Sequence, residues 1–105
     1  MHTSAPHALA GIHSALITPF TANGALALDT LEQLAEFQLA QGVHGFYVGG
    51  STGEAFLQSS DERAQVLRAF ARAVRGRAKL IAHVGAIATE ESAALARVAA
   101  DAGYD

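Results

Sequence analysis

Gly49-Gly50-Ser51-Thr52-Gly53-Glu54 concentrates three glycines, two adjacent hydroxyls and one carboxylate in six residues. Glycines let a backbone turn sharply and approach a ligand closely. The N–H groups of such a turn form a concave anion nest, and Ser51 and Thr52 add side-chain donors. This chemistry suits a carboxylate or a phosphate. A Walker loop needs Lys and then Ser or Thr after its last glycine, whereas Glu54 follows Gly53 here. A dinucleotide fingerprint needs G-x-G-x-x-G, and the spacing here is G-G-x-x-G. Glu54 would repel a polyphosphate unless it pointed away. A plain βα turn closed by small residues accounts for the same six residues equally well.

Other residues with reactive side chains have quieter readings. Lys79 is the only lysine. It opens a strand, so it projects at the N-terminal end of the sheet, roughly 15 Å below the loop at about 3.3 Å per strand residue. The five histidines do not fall at a spacing such as H-x-x-x-H, so no zinc site is expected. His2 and His7 lie in the N-terminal tail, and His13 and His44 read as structural. His83 reads as a strand histidine hydrogen-bonded to backbone, with a position facing the loop as the alternative. Thr18 ends the first strand at the same end as the loop, where it either supports Ser51 and Thr52 or simply starts the turn with Pro19. Tyr47 reads as a core aromatic, with packing beneath the loop as the alternative. Glu54 is expected to pin the loop by hydrogen bonds. Arg63, Arg68, Arg72, Arg75 and Arg77 lie on or just after one helix, and those outside its apolar stripe read as a solvated face.

The elements that must carry these residues repeat. After a loose tail over residues 1–10, Gly11 to Ile17 is a mostly apolar run that Thr18-Pro19 ends. Asn23-Gly24 signals a turn. Asp29 with Glu32 reads as a capping box, ahead of the helical stripe Leu28, Leu31, Leu34, Ala35 and Leu39. The second cycle has a strand at 44–48, then the loop, then a capping box of Ser59 and Glu62. Its stripe is Val66, Leu67, Phe70 and Val74. The third has a strand at 79–84, a cap at Thr89, and a stripe of Leu95, Val98, Ala99 and Ala102. Gly42, Gly76 and Gly103 stand where left-handed C-caps belong, and Tyr104-Asp105 resembles the entry to a fourth strand. Strands alternating with amphipathic helices predict a parallel α/β sheet. Strands apolar on both faces predict cover on both sides, in a doubly wound fold or a (β/α)8 barrel. Three units leave open edges, and a barrel takes roughly 250 residues. The expectation is therefore three of eight units, over residues 11–105, of a single barrel domain truncated before its fourth strand.

Bulk composition narrows the function classes. Half of the 105 residues are hydrophobic and 16% are charged, a globular balance. The net charge of -3 and the lack of a basic run argue against a nucleic-acid partner. There is no cysteine, hence no disulfide or thiolate metal site. No secretory pattern opens the chain and no apolar run nears the ~20 residues of a membrane span, so a cytoplasmic location without membrane contact is expected.

Three segments carry a resemblance. They are Ala15-Leu16-Ile17-Thr18-Pro19-Phe20, the run from Gly45 through Val48-Gly49-Gly50-Ser51-Thr52-Gly53-Glu54 to Phe56, and Leu80-Ile81-Ala82-His83-Val84-Gly85. With them the chain resembles the dihydrodipicolinate synthase superfamily of pyruvate-dependent aldolases from Gly11 to Asp105. The Tyr-Val-Gly-Gly lead-in and the Ile-Ala-His-Val-Gly strand are more similar to its N-acetylneuraminate lyase branch. The resemblance implies a (β/α)8 TIM barrel, a homotetramer, and Schiff-base cleavage of a sialic acid to N-acetylmannosamine and pyruvate, with no metal or organic cofactor. It implies that Ser51 and Thr52, with Gly50 and Gly53 backbone, hold the keto-acid carboxylate. Where the residues named above take their functional readings, Thr18, Tyr47, Glu54 and His83 are expected to support this clamp. The family's nucleophilic lysine belongs to the sixth strand and its relay tyrosine follows the fourth. Lys79, Tyr47 and Tyr104 match neither, so no catalytic residue is expected in this chain, which alone is expected to be inactive. The alternatives are dihydrodipicolinate synthase or another 2-keto-3-deoxy acid aldolase, and a non-catalytic fragment that folds only by association.

Overall fold

A computed structural model describes residues 8–105. The expected tail lies outside these residues as far as residue 7, with His2 and His7 in it. Beyond that point the chain is already tied down: a ring nitrogen of His13 hydrogen-bonds the Leu9 carbonyl at 2.7 Å.

Three strands form one parallel sheet in the order β1 (His13–Ala15), β2 (Gly45–Val48), β3 (Lys79–Ala82). The three long helices are α1 (Leu28–Ala40), α2 (Ser60–Val74) and α3 (Thr89–Ala102). Parallel crossovers are right-handed. A sheet that adds strands in sequence order therefore carries all its helices on one face. α1 packs on α2, and α2 on α3. The doubly wound alternative, which needs the strand order to reverse, does not apply. Cover is also one-sided. Phe46, Val48, Leu16 and Leu80 point into the helical layer and are buried, whereas Tyr47 and Ala15 on the other face are exposed.

The strands are shorter than the apolar runs that announced them, because pairing stops where a neighbour ends. Single ladder bonds continue past each end, such as Leu16 N–H to the Tyr47 carbonyl at 3.1 Å and His83 N–H to the Val48 carbonyl at 2.9 Å. The core is built from the predicted stripes. Leu31 and Ala35 of α1, Val66, Leu67, Phe70 and Val74 of α2, and Leu95 and Ala99 of α3 close over the sheet. Phe46 and Phe70 meet edge to face at 4.8 Å between centroids.

Helix ends divide into those read correctly and those not. Ser59 and Glu62 form the reciprocal capping box of α2, and Gly42 and Gly103 take left-handed conformations after α1 and α3. α2 turns left-handed at Arg75, and Gly76, which follows, is left-handed as well. Asp29 does not cap α1, and Thr89 does not cap α3. Those helices begin one residue after Ala27 and Ala88, with no side-chain cap. At α1 the reason is upstream: the Ala27 N–H donates to the Pro19 carbonyl and Phe20 bridges Leu26, so the turn delivers the chain into helix before Asp29. Tyr104 and Asp105 do not form a strand, yet Asp105 already runs beside β3, donating its N–H to the Leu80 carbonyl at 2.8 Å. No described helix is long and apolar enough to cross a membrane.

Candidate functional site

β2 ends at Val48, and the loop leaves from the C-terminal end of the sheet, where parallel α/β proteins bind ligands. Gly49 turns left-handed (φ 76°). The chain then folds over itself, with Glu54 N–H donating to the Ser51 carbonyl at 2.9 Å and Ala55 N–H to that of Gly50 at 3.3 Å. A short 3-10 turn, Ala55–Leu57, leads on to Gln58 and α2. Gly50 and Gly53 are buried, whereas Ser51 and Thr52 are exposed. The N–H groups of Ser51, Thr52 and Gly53 donate to no other described residue. The turn therefore offers two hydroxyls and a run of unpaired N–H groups, the donor set a carboxylate would engage.

The two buried glycines are set by what lies beneath. A Cβ on Gly50 would sit 2.4 Å from the ring of Tyr47, and one on Gly53 would sit 3.0 Å from the Leu16 carbonyl and 3.1 Å from the Thr18 hydroxyl. Tyr47 is thus not a core aromatic. Strand alternation puts it on the face opposite Phe46 and Val48, where its ring underlies Gly50. The Thr18 hydroxyl is buried without a hydrogen-bond partner among the described residues. His83 Nδ1 lies 2.8 Å from the Gly49 carbonyl, so this histidine is both hydrogen-bonded to backbone and adjacent to the loop. Its ring faces Phe56 edge-on at 5.8 Å and Tyr47 at 6.0 Å.

Two expectations change here. The Glu54 side chain is exposed and makes no hydrogen bond to a described residue. The side-chain pin is Gln58, whose Nε2 donates to the Gly53 carbonyl at 2.8 Å. Arg63 is no part of a solvated face. It is 4% exposed and donates to the carbonyls of Gly85 at 2.8 Å and His83 at 3.2 Å. A signal for it existed, since Arg63 stands three and four residues before Val66 and Leu67, on the buried stripe itself.

Lys79 opens β3 opposite Gly45, the first residue of β2, while the loop follows Val48 at the far end. Its ammonium pairs with Asp105 at 3.6 Å and is half-exposed. Tyr104 also lies away from the loop. Its hydroxyl donates to the Leu67 carbonyl at 2.8 Å, and burial pushes the phenol well above its ordinary pKa.

Residues 8–105 match the dihydrodipicolinate synthetase family. N-acetylneuraminate lyase of Citrobacter koseri is 50% identical over 97 residues, which are 92% of this chain and 33% of that protein. Among solved structures, N-acetylneuraminate lyase from Mycoplasma synoviae superposes with a TM-score of 0.90 at 36% identity, over 93% of this chain and 34% of that one. Dihydrodipicolinate synthase from Acinetobacter baumannii, solved as a complex with pyruvate, superposes with a TM-score of 0.85 at 35% identity, over 90% and 33%. The chain spans about one third of the length of the relatives it matches, and its three βα units are the first three of their (β/α)8 barrel. It belongs to the dihydrodipicolinate synthetase family.

Proposed function

We propose that the Gly49–Glu54 loop binds the carboxylate of a keto acid, and that this chain contributes that clamp to a Schiff-base aldolase cleaving N-acetylneuraminate to N-acetylmannosamine and pyruvate. The observation that carries the reading is the conjunction of exposed Ser51 and Thr52 hydroxyls with N–H groups that have no partner among the described residues, at the C-terminal end of β2. The clamp would hold the ketone carbon in line with a lysine amine. Condensation expels water and gives a protonated imine. The C–C bond then breaks toward that imine, its electron pair forming an enamine, while the sugar hydroxyl loses its proton and departs as the aldehyde. Protonation and hydrolysis release pyruvate and the amine. This route calls for no metal or organic cofactor.

Lys79 is not that amine, because it is held by Asp105 at the opposite end of the sheet. By family resemblance the lysine belongs to a sixth strand, the proton-relaying tyrosine follows a fourth, and the whole enzyme is a cytoplasmic homotetramer. Thr18 would support the clamp from below, as would Tyr47 and His83. The Tyr47-Val48-Gly49-Gly50 lead-in and the 50% identity to a neuraminate lyase favour that substrate over dihydrodipicolinate chemistry.

Two measurements test the proposal. In an amide NMR titration with pyruvate, the signals of Ser51, Thr52 and Gly53 should move. The pair Ser51→Ala and Thr52→Val should weaken binding about a hundredfold, the worth of two hydrogen bonds to a charged group. Unmoved amides would remove the clamp. Pyruvate with borohydride should leave the mass of the chain unchanged, and a pyruvyl adduct on Lys79 would refute its exclusion.

A further inference from the structure

We propose that Arg63 is a positioning residue for the Gly49–Glu54 loop, acting through His83. The keto-acid reading supplies only the ligand used to test it.

Arg63 sits in the first turn of α2 and is 4% exposed. No carboxylate pairs with it among the described residues. Burying a guanidinium is costly unless its charge and N–H groups are matched, and an apolar side chain of similar length would pack a helix on a sheet without that cost. Here the matching groups are two carbonyls just past β3, those of His83 and Gly85. Phe56 covers the guanidinium, with its ring centroid 5.8 Å from Cζ. The cation is thus spent on one short piece of backbone, the piece that carries His83.

The imidazole extends that constraint to the loop. A carbonyl oxygen only accepts, so the 2.8 Å contact to the Gly49 carbonyl requires the proton on Nδ1. The approach of Arg63 Nη2 to the same Nδ1, at 3.5 Å, then sets two donors side by side and is no hydrogen bond. Arg63 therefore acts on His83 through its backbone carbonyl, not through its ring. A Cβ on Gly85 would lie 2.7 Å from His83 Nε2, so the backbone that Arg63 holds also leaves the space the ring occupies. The line runs from α2 to the end of β3, and through His83 to Gly49, the residue from which the loop departs.

The test uses the isotopically labelled chain, titrated with pyruvate and followed at the Ser51–Gly53 amides. Arg63→Met should weaken binding about tenfold, the loss of one hydrogen bond involving a charged group. Arg63→Lys keeps the charge but not the two-pronged fork, and should fall between Met and the parent. Arg72→Met, an exposed arginine of the same helix, should change nothing. In a His83→Phe background, Arg63→Met should cause no further loss, because both act on one contact. Parent-like binding by Arg63→Met, or losses that add across the cycle, would overturn the proposal. If Arg63→Met does not fold, Arg63→Lys decides by the same cycle. If the parent chain itself ignores pyruvate, the keto-acid reading fails alone. Positioning is then judged without ligand: Arg63→Met must shift the Gly49–Ser51 amides and abolish the His83 Nδ1–H signal, and leaving both unmoved refutes it.

Discussion

The two ends of this parallel sheet treat their polar groups differently. At the N-terminal end the polar groups are largely spent on one another. His44 Nδ1 accepts the Ile12 N–H at 2.9 Å, Asp105 accepts the Leu80 N–H at 3.0 Å, and Lys79 pairs with the same carboxylate at 3.6 Å. The exception is the buried Nδ1 of His13, which has no partner among the described residues. At the C-terminal end, Ser51 and Thr52 are exposed, and the N–H groups of Ser51, Thr52 and Gly53, like the Thr18 hydroxyl near Gly53, have no partner among the described residues. Exposed donors are hydrated and carry no desolvation penalty, so these groups stay free to exchange water for a ligand. The end that keeps them uncommitted is the end where barrels of this kind bind ligands. The other end serves the fold.

If that division holds, substitutions at the two ends should have different signatures. Gly50→Ala should have the larger effect. The added Cβ lands 2.4 Å from the Tyr47 ring, and overpacking of this kind costs about 1–3 kcal/mol. It should reduce both denaturant stability and the pyruvate response. Truncating the ring with Tyr47→Ala should relieve most of the stability loss, a coupling that a double-mutant cycle measures. A Gly50→Ala chain as stable as the parent would show that close packing does not hold the turn. At the opposite end, Asp105→Ala leaves the Leu80 N–H without its carboxylate acceptor and Lys79 without its partner. The expected loss is about 1 kcal/mol of stability, with no change in the pyruvate response. A weakened pyruvate response there would blur the distinction between the ends.

Much of this was readable from residue order. The strand–helix alternation, the Ser59–Glu62 capping box and the position of the Gly-rich loop are local signals, and local chemistry decides them. What escaped depends on parity and on distant partners. Tyr47 looks like a core residue among Phe46 and Val48, yet alternation sends it to the other face. Asp29 has the sequence of a cap, but the Phe20–Leu26 bridge starts the helix earlier. Glu54 looks like the loop's pin, but Gln58 reaches the Gly53 carbonyl instead. Arg63 has a charged side chain at a buried helix position, and only the return of β3 supplies the carbonyls that account for its burial. Thr18 shows the limit in the other direction. Its place at the end of β1 was legible, but the absence of a partner for its hydroxyl emerges only once Gly53 folds over it.

The smallest effect belongs to the solvent-screened ion pair of Arg77 and Glu36. Arg77 donates to both carboxylate oxygens of Glu36, and it also caps the end of α2 through the carbonyls of Ala73 and Val74. The hydrogen bond from Arg77 holds the Glu36 carboxyl below its ordinary pKa. For a carboxylate whose pKa is depressed by folding, the stabilisation is fully present above the ordinary carboxylate range and disappears as pH falls through the depressed value. Both side chains are about half in solvent, with 42% of Arg77 and 50% of Glu36 exposed, so water and salt screen the attraction. Glu36→Gln should therefore lower the melting temperature only slightly at neutral pH and low salt. The difference from the parent should close on acidification, and also in high salt at neutral pH. Because Arg77 keeps its two carbonyl partners when Glu36 is neutralised, the α2 end stays capped in both chains. A gap that persists at acid pH would mean that Glu36 acts through packing rather than charge.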